Sequence, residues 1–212
     1  PPLWQVKAAK IVVNHETHEI YFTDAQIEFF GKPIADLPYF SIPDPSVKRK
    51  SGFLTPLMGY SGRTGFFAGV PYYWALSPSY DLTVTPTGYS RQGLLLGGEW
   101  RQRSDYGQYT IDAAGIDQLD PDAFKPDSPS RRGLRGGIRT TGTEYLNNDW
   151  TLGWDGTLST DRLFTRDYAV LNHDTSVTTS NIHLTGIGDR DYFNMEADYY
   201  QLLTDPSSPE LV

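Results

Sequence analysis

Three groups of residues invite a chemical reading. His15 and His18 are spaced for neither the paired histidines of a zinc-binding helix nor a zinc finger, and the chain has no cysteine to complete a finger. Asp117, Asp120 and Asp122 offer hard oxygen ligands suited to calcium, but they lack the EF-hand spacing and its closing Glu. Gly59-Tyr60-Ser61-Gly62 sets a serine near glycines without forming the Gly-x-Ser-x-Gly turn that presents a nucleophile. No glycine-rich phosphate loop is present. The sequence predicts no catalytic centre, no metal site and no cofactor, and hence no enzyme.

The remaining candidates would act by shape and charge. Pro56 and Pro71 fall inside segments that alternate like strands, and Pro86 occupies a similar place in the next segment. A proline has no N–H to give the ladder, so strand interiors normally exclude it. Two on neighbouring strands predict a weak, openable seam; the plainer reading is a bulge or rim proline. Lys48, Arg49 and Lys50 form a basic run. It would meet anionic lipid headgroups or phosphorylated sugars, or simply be a solvated linker. Glu99, Arg101, Arg135, Arg139, Asp155, Glu196 and Asp198 alternate with apolar residues and would line a wet channel or an exposed face. Ile11, Val13, Ile20, Phe22, Ile27 and Phe29 recur near the start as apolar positions.

These residues need strands to position them. The chain has 212 residues, of which 35 are Gly or Pro (20 and 15), and no stretch of a dozen residues has helical periodicity. Aromatic residues make up 14%. The net charge of -8 argues against nucleic acid as a partner, because phosphate binding needs clustered cations. No apolar run approaches the length of a membrane helix, but a transmembrane strand needs only about 9–11 residues, half of which can be polar. The chain opens Pro1-Pro2 without a leader-like segment, so a signal peptide is expected to be absent from it.

Residues 5–13, 19–30 and 34–42 read as short strands, with turns at 15–18 and 31–33. Residues 43–46 (Pro-Asp-Pro-Ser) mark the expected boundary. Beyond it, longer alternating segments are predicted at 53–61, 65–74, 80–87, 94–101, 107–113, 134–141, 150–158, 182–186 and 193–200. Residues 115–130 are expected to form a loop, and 161–178 an irregular stretch. Short turns thus alternate with long polar loops. One strand face is apolar, with Trp or Tyr near strand ends, and the other is polar. The expected fold class is all-β, and the pattern fits the wall of an outer-membrane barrel. Alternatives are a diffusive porin, or a soluble β-sandwich binding carbohydrate on Trp150 and Trp154.

The succession Ala35-Asp36-Leu37-Pro38-Tyr39-Phe40-Ser41-Ile42-Pro43, Lys48-Arg49-Lys50-Ser51-Gly52-Phe53-Leu54-Thr55-Pro56 and Gly59-Tyr60-Ser61 carries a resemblance. It continues through Val70-Pro71-Tyr72-Tyr73-Trp74, Asp81-Leu82-Thr83-Val84-Thr85-Pro86, Arg91-Gln92-Gly93 and Gly98-Glu99-Trp100-Arg101. This resembles the LptD family at its domain junction and first barrel strands. The match is specific between residues 37 and 103 and is one of pattern beyond that; residues 4–30 resemble the last strands of a periplasmic jelly-roll.

The resemblance implies residues 1–45 as the end of that jelly-roll, 46–52 as a junction and 53–212 as the opening part of a transmembrane β-barrel. It also implies assembly of lipopolysaccharide into the outer leaflet of the Gram-negative outer membrane. Pro56 and Pro71 would belong to a lateral gate, and the six early apolar residues to an acyl-chain slide. Implied partners are lipopolysaccharide, outer-membrane lipid, a plug lipoprotein (LptE) and a periplasmic bridge protein (LptA). The family barrel has more strands than this chain provides, and an open sheet would leave unpaired edges in lipid, so a fragment is expected. The cysteines that link the family's two parts do not occur here.

Overall fold

The computed structural model describes residues 4–16, 19–29, 31–44, 49–171 and 177–203. The chain divides into two compact units, Pro1–Phe53 and Leu54–Val212.

The first unit is an antiparallel three-stranded sheet in the order β1-β2-β3. Its strands are β1 (Trp4–Asn14), β2 (Glu19–Phe29) and β3 (Lys32–Pro43); a short β4 (Gly52–Phe53) follows in the chain and is not part of this sheet. Asn14 Oδ1 accepts the Glu16 N–H at 2.9 Å and starts the first turn. Gly31, at φ +75, makes the second turn, where a side chain would be strained. The strand resumes at Lys32, earlier than expected. Ile27 faces Ala35 while Glu28 faces Pro33, so Ile34 is left over as a bulge and is exposed.

The second unit is one antiparallel sheet. Its strands are β5 (Leu57–Ser61), β6 (Gly65–Gly69), β7 (Tyr72–Trp74), β8 (Tyr80–Tyr89), β9 (Gly93–Ser104) and β10 (Gly107–Asp117). Then come β11 (Leu134–Tyr145), β12 (Trp150–Ser159), β13 (Val177–Ile187) and β14 (Tyr192–Leu202). The order is β14-β13-β12-β11-β10-β9-β8-β6-β5, and β7 continues along β8 where β6 stops. From β8 onward each strand pairs with the next, as in a meander. The strand interiors fall where alternation predicted them, except at residues 54–56 and 70–71, which belong to no strand, and several ends run a few residues longer because both partners keep a ladder running into the turns.

The two ends of this sheet differ. One end carries the turns around residues 75–79, 105–106, 146–149 and 188–191; the other carries the long connections 118–133 and 160–176. The long connections are not wholly irregular. One holds a 3-10 turn at Pro121–Ala123, and the other a one-turn helix, α1 (Phe164–Tyr168), closed by Ala169 at φ 53. A helix this short has no periodic signature and gains its stability from packing. Phe164 and Tyr168 pack into the unit's apolar core with Tyr89, Leu95, Ala114, Ile116 and Leu171. No helix among the described residues is long and apolar enough to cross a membrane, which says nothing of crossing by strands.

Candidate functional site

Register assigns every strand residue of the large sheet to a face. Asp81, Arg101, Thr110, Thr141, Asp155, Asn181 and Asp198 stand opposite one another in turn, forming a continuous polar row across β8 to β14. A parallel row joins Glu99, Asp112 and Arg139. Glu196 faces His183 on the same side, and Arg135 faces Ile116. All seven residues expected on the polar side therefore share one face. They are tied into pairs: Arg139 clasps Asp155 through two bonds of 3.0 and 2.6 Å, and Arg101 donates to Asp81 at 2.8 Å. Asn181 donates to Glu196 at 2.6 Å and to Asp198 at 2.7 Å.

The other face is apolar. Val84, Gly98, Ala113, Ile138 and Leu158 form one row, and Leu82, Trp100 and Ile111 lead another. Leu94, Leu96, Leu134, Leu158 and Met195 on this face are each more than half exposed. Aromatic contacts gather toward the short-turn end: Tyr80 stacks on Trp100 at 5.1 Å, Tyr72 meets Trp74 at 5.2 Å and Trp150 meets Phe193 at 5.4 Å. Trp154 lies over Gly142 and donates its indole N–H to Thr140 Oγ1 at 3.0 Å. Trp150 covers Gly186 in the same way. Both tryptophans are thus held flat on the apolar face, with cross-strand glycines beneath their rings.

One member of the polar set departs from expectation. Arg135 does not line a wet surface: it has no exposure at all. At the long-connection end, 118–133 and 160–171 fold over the polar face and cover it. Asp161 accepts from Arg135 Nε and Nη2, both at 2.8 Å. Asp167 accepts from Nη2 at 3.0 Å, and Gln118 Oε1 from Nη1 at 3.2 Å. The rings of Phe124, Tyr168 and Phe164 lie 5.3, 5.4 and 5.7 Å from the guanidinium carbon. The guanidinium is thereby paired, hydrogen-bonded and stacked on all sides, as a buried charge requires. Burial also pushes the Tyr168 hydroxyl well above its ordinary titration range, so it stays protonated and donates to Gln118 Oε1. This knot was not visible in sequence. Of the three aspartates weighed for calcium, Asp122 is taken by Arg131 at 2.6 Å, and no metal-holding group forms among the described residues.

The prolines also depart from expectation, since neither lies inside a strand. Pro56 falls between Phe53 and β5, and Pro71 falls between β6 and β7. Each breaks what alternation had joined, because a missing N–H and a restricted preceding residue end the ladder there. The Leu54 N–H donates to the Pro71 carbonyl at 2.9 Å, and Pro71 has no N–H to return the bond. Leu57 already faces Gly69, so Thr55 and Pro56 together oppose Val70, as a bulge. On the next seam the Val70 N–H donates to the Pro86 carbonyl at 3.3 Å, and Pro86 cannot reciprocate either. Two consecutive seams are thus bonded one way at the same height.

In the first unit, register divides the six apolar candidates. Val13 faces Ile20 and Ile11 faces Phe22, all on one side, where Phe22 stacks on Phe40 at 4.6 Å. Ile27 pairs with Val6 on the opposite side, and the side chain of Phe29 lies outside the described residues. Parity explains the split: an odd separation along a strand inverts the face. Ile11 and Val13 are 57% and 45% exposed, so this face is open along β1, while Ile20 and Phe22 on β2 are partly covered. Of the basic run, Lys48 lies outside the described residues, Arg49 is exposed, and Lys50 pairs with Glu19 at 3.1 Å.

Comparison with known proteins fits this two-part architecture. The LPS-assembly protein LptD of Bordetella pertussis (strain Tohama I) is 30% identical over 211 residues, 98% of this chain and 25% of the relative. The LptD of Albidiferax ferrireducens is 37% identical over 152 residues, 71% of this chain and 18% of the relative. That of Legionella pneumophila (strain Lens) is 40% identical over 98 residues, 46% of this chain and 12% of the relative. A family model described as LptD, LPS transport system D, matches residues 133–211. The chain belongs to the LptD family.

The chain spans a quarter or less of the length of these LptD relatives. The family match at 133–211 covers strands that resembled LptD in the sequence only by pattern, whereas residues 37–103 carried the specific resemblance. The alignment to the Bordetella LptD, over 98% of this chain, joins the two stretches. Within this LptD-family chain, the residues that sequence reasoning missed are Gln92, Gln118, Ser130, Asp161 and Asp167. Their one available signal was an Arg and several small polar residues beside irregular stretches, too common a pattern to read.

Proposed function

We propose that this chain forms part of the wall of an outer-membrane barrel that delivers lipopolysaccharide to the outer leaflet. In this reading the polar face of β8 to β14 conducts the sugar portion and the apolar face meets lipid. The seam at Pro56, Pro71 and Pro86 yields to let the acyl chains pass sideways. The one-way bonding of two consecutive seams carries the reading, because a diffusive pore needs no weakened seam. Each absent ladder bond forgoes about 1 kcal/mol of stabilisation, and the losses fall at one height. The role is transport, with no reaction of its own.

The rest of the reading follows the family. Residues 1–45 would be the end of a jelly-roll on the periplasmic side, its face of Ile11, Val13, Ile20 and Phe22 guiding acyl chains. A periplasmic bridge protein (LptA) would join that sheet, and a plug lipoprotein (LptE) would sit against the polar face. Arg49 would meet headgroups or sugar phosphates. The loop pattern supports the orientation: barrels of this kind have short turns on the periplasmic side and long loops outside.

The test is photo-crosslinking in cells that express the full-length protein. A photoreactive residue at Phe22 or Leu54 is expected to capture lipopolysaccharide, and one at the exposed loop residue Leu119 is not. Folded protein that yields no adduct at Phe22 or Leu54 rejects the transport reading.

A further inference from the structure

On the polar side of the large sheet, the long-connection end is built unlike the rest. Leu95 faces Ile116 there, and Ala114 alternates onto the same side, so apolar residues stand where polar ones stand further along. Phe164, Tyr168 and Leu171 of the second long connection form one buried cluster with all three. Leu171 rests on Gly137, where a Cβ would stand 2.8 Å from the leucine's methyl carbon. Beside this apolar patch lies the Arg135 knot, and Asp167 is where its ties converge. Asp167 Oδ2 accepts from Arg135 Nη2 at 3.0 Å and from Ser130 Oγ at 2.5 Å. Asp167 Oδ1 lies 3.4 Å from Arg63 Nη1 in the β5–β6 turn, and the aspartate side chain is 3% exposed. The margins of this cover are tied as well. Gln92 is fully buried, and its Nε2 donates to Arg63 O at 3.1 Å and to Asp120 O at 2.9 Å. Arg166 Nη1 donates to Leu203 O at 2.9 Å, just beyond β14. Among the described residues, each connection at this end of the sheet thus enters one cluster.

We propose that Asp167 positions the two long connections as a permanent seal over the cell-surface end of this wall's polar side, so that the chain keeps a barrier as well as a passage. This rests on the wall reading above and adds a function separate from delivery. A cover that lifted would bring the apolar patch into water and strip the Arg135 charge of partners while it is still dry, and both are costly. The seal therefore stays shut while lipid is delivered. The open polar pairs, Arg139 with Asp155 and Arg101 with Asp81, lie on its short-turn side and remain available to a sugar.

The test uses the full-length protein in its own outer membrane, with the partners it has there. Ala114→Cys puts a thiol beneath the seal, at a position 9% exposed. Three readouts are taken on the same cells. A membrane-impermeant thiol reagent reports whether the seal is shut, and entry of a hydrophilic dye too large for general pores reports a leak. Lipopolysaccharide at the cell surface reports delivery. Asp167→Asn removes the charge that holds Arg135 and Arg63; Ser130→Ala, which removes one tie to Asp167, takes its place if that variant does not reach the membrane. The expected result is a thiol that is inert by itself and labelled several-fold more with Asp167→Asn, together with dye entry and undiminished delivery. Undiminished delivery also rules out a general weakening of the membrane as the source of the leak. A thiol that stays inert in folded Asp167→Asn protein overturns the positioning role. Labelling without dye entry overturns the seal, and dye entry with falling delivery overturns its separation from the passage. Labelling that requires a permeabilised outer membrane instead overturns the orientation in the wall reading on which the proposal rests.

Discussion

At the scale of single residues, the largest energies sit where sequence said least. Arg135 alternates correctly in β11, so its face was legible. Its burial was not, because Asp161 and Asp167 arrive from a stretch with no periodicity of its own. Removing one partner of a buried ion pair leaves the others charged and dry, which costs about 3–5 kcal/mol. Arg135→Met is therefore expected to lower the temperature at which the folded form is lost on heating, while Arg139→Met, in a half-exposed pair, shifts it far less. Equal shifts would show that the knot carries no special weight. A second prediction concerns Glu28 in the first unit. Lys7 Nζ and Gln5 Nε2, each at 2.6 Å, hold its carboxyl below the ordinary carboxylate range, Lys7 contributing most. A lowered folded-state value means stability that is present above the unfolded-state value, about 4.3, and is lost as pH falls through the lower folded one. Exchange protection of the β1–β2 amides near Glu28 should therefore weaken in that acid window, and Glu28→Gln should flatten the dependence. An identical acid response in the variant would rule out Glu28 as its source.

At the scale of elements, alternation found the strands but joined two that proline divides. The sequence showed Pro56 and Pro71; it did not show that their neighbours would bond one way, since that depends on which carbonyl faces which amide. Pro71→Ala restores an N–H opposite the Leu54 carbonyl and should add about 1 kcal/mol to the seam. Slower delivery of lipopolysaccharide is expected, together with one more protected amide in hydrogen exchange. If delivery is unchanged although the amide becomes protected, the seam is not rate-determining. Glycines were equally opaque at this scale. Gly142 reads as a weak strand residue, yet a Cβ there would stand 2.2 Å from the Trp154 ring. Gly142→Val should displace that indole, break its bond to Thr140 and destabilise the β11–β12 pair. Unaltered tryptophan fluorescence in the variant would contradict this packing.

At the scale of the whole molecule, the first unit and the large sheet each leave an apolar face open, which is intelligible only for a chain whose surroundings are not all water. The open faces differ in kind. On the large sheet the apolar face carries aromatic pairs at the short-turn end and aliphatic Leu94, Leu96, Leu134 and Leu158 toward the other; in the proposed wall the aromatic end would be the periplasmic rim, set in an interfacial belt. In this orientation the folded-in long connections would lie at the cell surface, and so would the first hairpin's turn at residues 62–64. A cysteine at the exposed loop residue Asp127 should then react with a membrane-impermeant thiol reagent on intact cells. One at Asn148, in an exposed short turn, should react only after the outer membrane is permeabilised. The full-length protein in its own membrane serves for both, with the surface label on Asp127→Cys reporting that the barrel is inserted. Labelling of Asn148→Cys but not Asp127→Cys on intact cells would invert the wall. It would place the Arg135 knot at the periplasmic rim and the aromatic pairs of the short-turn end at the outer one.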